Sequence, residues 1–448
     1  MPSTTDLAPA PAAATGASAP AKGKAALIVF LLFCFMLVNY ADKVVIGLAG
    51  VDLIAELGIN KEQFGLVQSS FFWLFAAGSI LGGMLIGKIK ARYLLAGTAL
   101  LWALSIAPMM GSIGFGLLIA CRVVLGFAEG PATAMATSVT HSWFAPDKRA
   151  IPTSIVVAGA GFGPLIASPA LTWVMEKWDW HSAFSVLFLV GIAWMLAWIF
   201  GGGEGTLGGA RPQASAAISA LPDRLPYRKL LGTGTIVGLL VLFFTTYWSI
   251  AVKVSWLPLY FREGLGYTAK ETGTLVALPY AAAAALQIVV GVASAMLSKR
   301  GASSRAARCL LASALAGVGG LSTIGFAQLD RGIPQLLLLV IGASLTSAGY
   351  GVAFAAVSDV VPAKQRGGIM GVIVAVYSVG GIIAPLILGG LIDSAATPAE
   401  GYSHGFTVIG VLAVVGAVVA ALLTNPERDA AKLSKWAPPA PQDASESD

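Results

Sequence analysis

Long apolar runs separated by short polar segments make up most of the 448-residue chain. A run of about 20 apolar residues is long enough to cross hydrocarbon as a helix. Twelve such runs recur, at about 25–48, 63–87, 92–111, 114–138, 150–174, 182–201, 232–256, 269–297, 306–327, 333–357, 367–392 and 403–424. The polar punctuation splits them six and six. Gly201-Gly202-Gly203, Arg211-Pro212 and Pro222-Asp223-Arg224-Leu225-Pro226 mark a linker over 202–231, because Gly, Pro and charge together end helices. The pattern predicts an all-α membrane protein with two six-helix halves, 25–201 and 232–424. Polar tails at 1–24 and 425–448 are expected to be disordered.

Composition agrees: 57% of residues are hydrophobic and 11% charged, far from a soluble domain's balance. Lys22 and Lys24 precede the first run as in a signal peptide, but the run is too long and carries Asp42 and Lys43, so it reads as a retained helix. The remaining charge sets orientation. Loops opposite the termini carry only Lys61, Lys177, Arg262, Lys270 and Arg331. Lys43, Arg122 and Lys253 fall inside runs, and the rest of the 28 Lys and Arg lie on the side of the termini. The positive-inside bias therefore places both termini in the cytoplasm. The basic pI follows from those loops and points to anionic lipid headgroups as partners, not nucleic acid.

Catalytic signatures are missing from the sequence: no Gly-x-Ser-x-Gly, phosphate loop or His-Glu-x-x-His. Cys34, Cys121 and Cys309 have no metal spacing and read as buried small hydrophobes. Neither an enzyme nor a cofactor or metal is expected. The halves do repeat one another. An offset of about 208 carries Gly65 onto Gly273 and Gly83 onto Gly291, and one of about 216 carries Pro146 onto Pro362 and Pro169 onto Pro385. Two parallel six-helix repeats with a site between them are a transporter architecture.

Candidate chemistry lies in the charges inside the runs. A charge near the bilayer centre costs roughly 2.5–3.5 kcal/mol on the most lenient scale, so it faces a cavity or partners on other helices. Asn39-Tyr40-Ala41-Asp42-Lys43 sits in run one, and Arg122 and Glu129 in run four. Arg122 and Glu129 share a helix face but stand roughly 10 Å apart along the axis, too far to pair directly. Two acids against two bases form a neutral set in which Asp42 and Glu129 can carry protons while a base meets an anion. Lys43 is the candidate countercharge for the substrate, and Arg122 a coupling or substrate residue. Tyr247 and Trp248 are candidates to line the cavity from run seven, with Tyr377 and Ser378 from run eleven. Lys253 is expected to snorkel to the interface, and Trp256 and Tyr260 to join the interfacial aromatic belt. His141, His181 and His404 lie near run ends.

These residues resemble the major facilitator superfamily and, within it, the anion:cation symporters, a group that includes bacterial galactonate, glucarate, hexuronate and tartrate carriers. The resemblance covers roughly 25–425. It rests on Asn39-Tyr40-Ala41-Asp42-Lys43, on Arg122 through Gly130, and on Trp143-Phe144-Ala145-Pro146-Asp147-Lys148-Arg149-Ala150. Ser255-Trp256-Leu257-Pro258-Leu259-Tyr260 and Ala277-Leu278-Pro279-Tyr280 add to it. It implies a proton-coupled importer of a small organic anion in the inner membrane, monomeric, working by alternating access. Asp42 and Glu129 would take up protons, Arg122 would couple them, and Tyr40 and Lys43 would meet the anionic group. An exchanger or exporter on the same fold is the alternative.

Four positions depart from the family. Lys43 replaces an Arg, exchanging a two-pronged grip for a point charge. Phe75 stands where sugar-acid carriers often have Tyr, and Ala160 where some have an amide. Gly87 replaces the acid of the loop between runs two and three, which affects the gate. Fewer hydroxyl and amide donors imply a substrate with fewer hydroxyls than a sugar acid, such as an aromatic or short-chain carboxylate or a sulfonate.

Overall fold

The computed structural model describes residues 22–86, 88–145, 148–206, 224–362 and 364–435. Among them are twelve helices of membrane-crossing length and composition, in agreement with the apolar runs. In chain order the spans are Gly23–Leu48, Lys61–Leu85, Ala91–Met110, Phe115–Trp143, Ile151–Lys177 and Trp180–Gly201, then Gly234–Ser255, Ala269–Lys299, Arg305–Ala327, Ile333–Val357, Arg366–Ser394 and Pro398–Leu423. Local chemistry sets several boundaries. Span two opens on a capping box between Asn60 and Gln63, and span eight on one between Thr268 and Glu271. Span four is two helices, Phe115–Glu129 and Ala132–Trp143, joined at Gly130 and Pro131, the latter without an N–H to continue the ladder. Span two is likewise divided at Leu74.

The repeat is visible where the halves meet. Span two packs on span eleven, and span eight on span five. A Cβ added at Gly65 would lie 2.5 Å from the Pro385 carbonyl oxygen, and one at Gly273 would lie 2.6 Å from Thr172 Oγ1. The same glycine in each half thus admits the neighbouring helix of the other, beside Pro385 in one case and close to Pro169 in the other.

Polar contacts between the halves gather at the end whose loops are poor in Lys and Arg. Lys61 Nζ meets both Glu263 carboxylate oxygens at 2.6 Å. Asp393 accepts from the backbone N–H groups of Lys61 at 3.1 Å and Glu62 at 2.7 Å, so a carboxylate from one half caps the first helix turn of the other. Arg262 reaches Asp52 at 3.5 Å, and Gln68 donates to the Ser255 carbonyl at 3.4 Å. The molecule is drawn together at this end.

Three expectations need correction. Residues 425–435 are not irregular: Pro426–Ser434 is a helix, and its Asp429 accepts from the N–H and Oγ1 of Thr235, both at 2.7 Å. A short amphipathic helix with a buried carboxylate anchor was hidden in a polar segment. Trp256 and Tyr260 are core residues, 0% and 4% exposed. Beyond span seven the chain continues through a short helix containing Pro258 and a wide turn, Tyr260–Gly264. Trp256 there lies edge-on to Phe64 at 5.1 Å, and the Tyr260 hydroxyl accepts from Gln335. Lys253, too, is buried and does not snorkel. Gly87 lies outside the described residues, as do 1–21, most of the linker and 436–448.

Candidate functional site

Glycines bring the charged segments together. On span five, Gly159 and Gly163 are one turn apart, and a Cβ on either would lie 2.5 Å from a span-one carbonyl, that of Phe33 or Leu37. Gly78 and Gly82 on span two face Phe127 and Pro131, while Gly126 and Gly130 on span four face the carbonyls of Phe71 and Phe75. Any side chain at Gly78, Gly126 or Gly130 would overlap the opposing backbone. Small residues at one-turn spacing permit this approach, the usual currency of helix association in hydrocarbon. Span one is thereby held against span five, and span two against span four, with the charges in between.

The four charges form one cluster. Lys43 Nζ lies 2.6 Å from Glu129 Oε2 and donates to Asn39 Oδ1 at 2.6 Å. The ammonium also sits 4.2 Å above the Tyr40 ring and 5.8 Å from that of Phe71, whose face meets the Arg122 guanidinium at 4.9 Å. Asp42, Arg122 and Glu129 are 2–3% exposed, whereas the Lys43 side chain keeps 13%. Asp42 Oδ1, Glu129 Oε1 and Arg122 Nε are buried without a hydrogen-bond partner. A buried ion pair beside unpaired acceptors is an arrangement in which adding a proton to an acid loosens its grip on a cation. Glu129 pairs with Lys43 and not with Arg122, as the spacing on span four required. Asn39 and Phe71 are the site residues that sequence reasoning passed over. Asn39 lay inside the quoted motif one turn before Lys43, but nothing in the sequence placed Phe71 under both cations.

Opposite this cluster the wall is aromatic. Tyr247 of span seven stacks on Tyr377 of span eleven, centroids 4.3 Å apart, and Phe72 of span two meets Tyr247 edge-on at 5.7 Å. Phe72 also closes on Gly381, where an added Cβ would lie 2.7 Å from its ring. The hydroxyls of Tyr40, Tyr247 and Tyr377 make no hydrogen bond among the described residues. The other candidates are less available. Phe75 is 9% exposed and packs on Phe71 and Phe72. Trp248 is buried, its Nε1 without a partner. Ser378 turns its hydroxyl back to the Val374 carbonyl at 2.7 Å. Among the histidines, His141 bonds Thr153 Oγ1, and His181 bridges Glu56 and the Met109 carbonyl near the Lys- and Arg-poor ends of the spans, away from the cluster. No group of three or more metal-ligating side chains occurs among the described residues.

Two repeated six-helix halves, one carrying a buried charge cluster and the other an aromatic wall, have the architecture of a membrane transporter. The chain belongs to the Major Facilitator Superfamily, whose family model matches residues 31–344 and 305–445; it is a transporter and not an enzyme. It is 29% identical over 417 residues to a probable sulfoacetate transporter of Cupriavidus necator, covering 88% of this chain and 93% of that one. It is 25% identical to a D-galactonate transporter of Escherichia coli over 89% and 95% of the two chains. Among solved structures it resembles a bacterial homolog of the human lysosomal transporter Spinster, with a TM-score of 0.75 at 17% identity over 93% of this chain and 100% of that one.

Proposed function

We propose that the protein is a proton-coupled symporter that imports a small organic anion across the inner membrane, with both termini in the cytoplasm. One observation carries the reading: the cation best placed to receive an anion, Lys43, is held at 2.6 Å by an acid, Glu129. Protonation of Glu129 releases Lys43, and an anion on Lys43 in turn favours the protonated acid, so the two ligands bind together. Asp42 is the second proton site, and Arg122 holds the acids in register from span four. The polar contacts that join the halves lie at the loops this orientation places outside, which supports reading the conformation as closed to the outside, the state from which substrate would leave to the cytoplasm. Protein monomers among lipids suffice for such a cycle, since both walls of the site come from one chain.

The substrate class follows from charge and lining. With both acids protonated the cluster carries two cations, a match for a compact dianion. The facing wall offers aromatic rings and a few tyrosine hydroxyls, too few donors for a polyhydroxylated sugar acid. A short sulfonate-carboxylate suits both features and accords with the probable sulfoacetate transporter among the relatives. In proteoliposomes, an inward proton gradient should drive accumulation of radiolabelled sulfoacetate in preference to galactonate. Uptake indifferent to the gradient and accelerated by anion preloaded inside would overturn symport in favour of exchange.

A further inference from the structure

A second buried cation stands apart from the cluster, inside the C-terminal half. Lys253 of span seven is 6% exposed. Its Nζ donates to the Ala343 carbonyl at 3.2 Å and to Ser347 Oγ at 3.4 Å, both on span ten, and lies 4.7 Å from the centre of the Tyr280 ring. These partners are neutral, and no carboxylate pairs with Lys253 among the described residues. An ammonium has three donors, so two long bonds to neutral oxygens leave it under-satisfied. Removing such a charge from water without a counter-ion is strongly unfavourable.

Beside it lies a cavity of about 20 Å³, lined by Lys253 and Ser249 together with Thr323 and the apolar side chains of Phe326, Leu339 and Phe406. Ser249 is one turn before Lys253, so both face the same way. Its hydroxyl is buried and has no partner. A space of this size admits one water-sized or halide-sized occupant. Lys253 and a serine whose hydroxyl has no partner thus line one space, and no other charged side chain is among its walls.

We propose that this cavity binds a single halide-sized monovalent anion, chloride being the probe, held by Lys253 and Ser249 and separate from the transport site. The anion neutralises Lys253 and takes the hydrogen bond that Ser249 lacks, and so ties span seven to spans nine, ten and twelve.

The test uses the purified full chain in detergent, with unfolding temperature followed as chloride replaces gluconate at fixed ionic strength. A saturable rise is expected for the natural protein, since a ligand of the folded state stabilises by mass action. Lys253→Met, of similar length, should lose the rise, and Ser249→Ala should raise the half-saturating concentration about five-fold, the weight of one hydrogen bond. Crystals grown with bromide should show anomalous density beside Lys253 Nζ, which decides the matter even if Lys253→Met fails to fold. The proposal is overturned if chloride and gluconate act alike, if Lys253→Met keeps the full rise, or if bromide appears only beside Lys43 and Arg122.

Discussion

The two halves share a repeat but divide their polar residues unequally. In the N-terminal half, spans one and four bring Asp42, Lys43, Arg122 and Glu129 into one cluster, with Lys43 tied to Glu129 at 2.6 Å. In the C-terminal half, spans seven and eleven present the stacked Tyr247 and Tyr377 to the interface, and Lys253, among the described residues the only cation buried in its spans, turns away towards span ten. Equivalent backbone positions still do equivalent work: Gly65 and Gly273 each admit a helix of the other half. The difference shows that a duplicated scaffold can keep its packing while its chemistry becomes one-sided. On the proposed function, charge and protons fall to one half, shape and hydroxyl donors to the other, and a substrate between them must satisfy both.

That division makes quantitative demands. The largest effect is expected from Glu129→Gln, which mimics a permanently protonated acid. Gradient-driven accumulation should fall by about two orders of magnitude while anion binding survives, the equivalent of roughly 3 kcal/mol for one buried charge partner. Asp42→Asn should lose accumulation as well, and full accumulation in both variants would return the proton role to another residue. Next, Lys43→Ala should abolish anion binding measured by thermal shift. Lys43→Arg should retain binding and move selectivity towards carboxylates that accept a planar fork. Third, Gly126→Ala forces a methyl group into the Phe71 carbonyl, an overpacking worth about 1–3 kcal/mol, and should lower the unfolding temperature by several degrees. The smallest effect is expected on the aromatic side. Tyr247→Phe or Tyr377→Phe should raise KM about five-fold through loss of one hydrogen bond, with the proton dependence of uptake unchanged. A change in proton dependence in either variant would show that the C-terminal half takes part in coupling.

The spans were legible because hydrocarbon leaves the backbone few choices: an apolar run of the right length is a helix, and its neighbours follow from the loops. The cluster was legible residue by residue, since charge in such a run is costly enough to need a purpose. Its pairing was not. That Lys43 would meet Glu129, with Phe71 beneath both Lys43 and Arg122, depends on spans one, two and four approaching at glycines, and a helix's own sequence does not name its partner. Lys253 shows the converse. Its place near the end of span seven suggested an outward reach, yet span ten offers the Ala343 carbonyl and Ser347 hydroxyl on the inside, and the side chain follows them. Trp256 and Tyr260 went inward for a related reason, as the chain turns after Pro258 and carries their rings under spans two, ten and twelve.

From the order of residues alone came twelve spans, their six-and-six division, the repeat, and the four charges that need a purpose. All of these rest on local physics: transfer from water, helix length, and the cost of isolated charge. Which charge holds which, which aromatic rings meet, and where the second buried lysine points were settled by helices distant in sequence. Contacts of that kind are fixed by how closely two backbones can approach, and in this chain the glycines between spans two and four, and between spans one and five, set that distance.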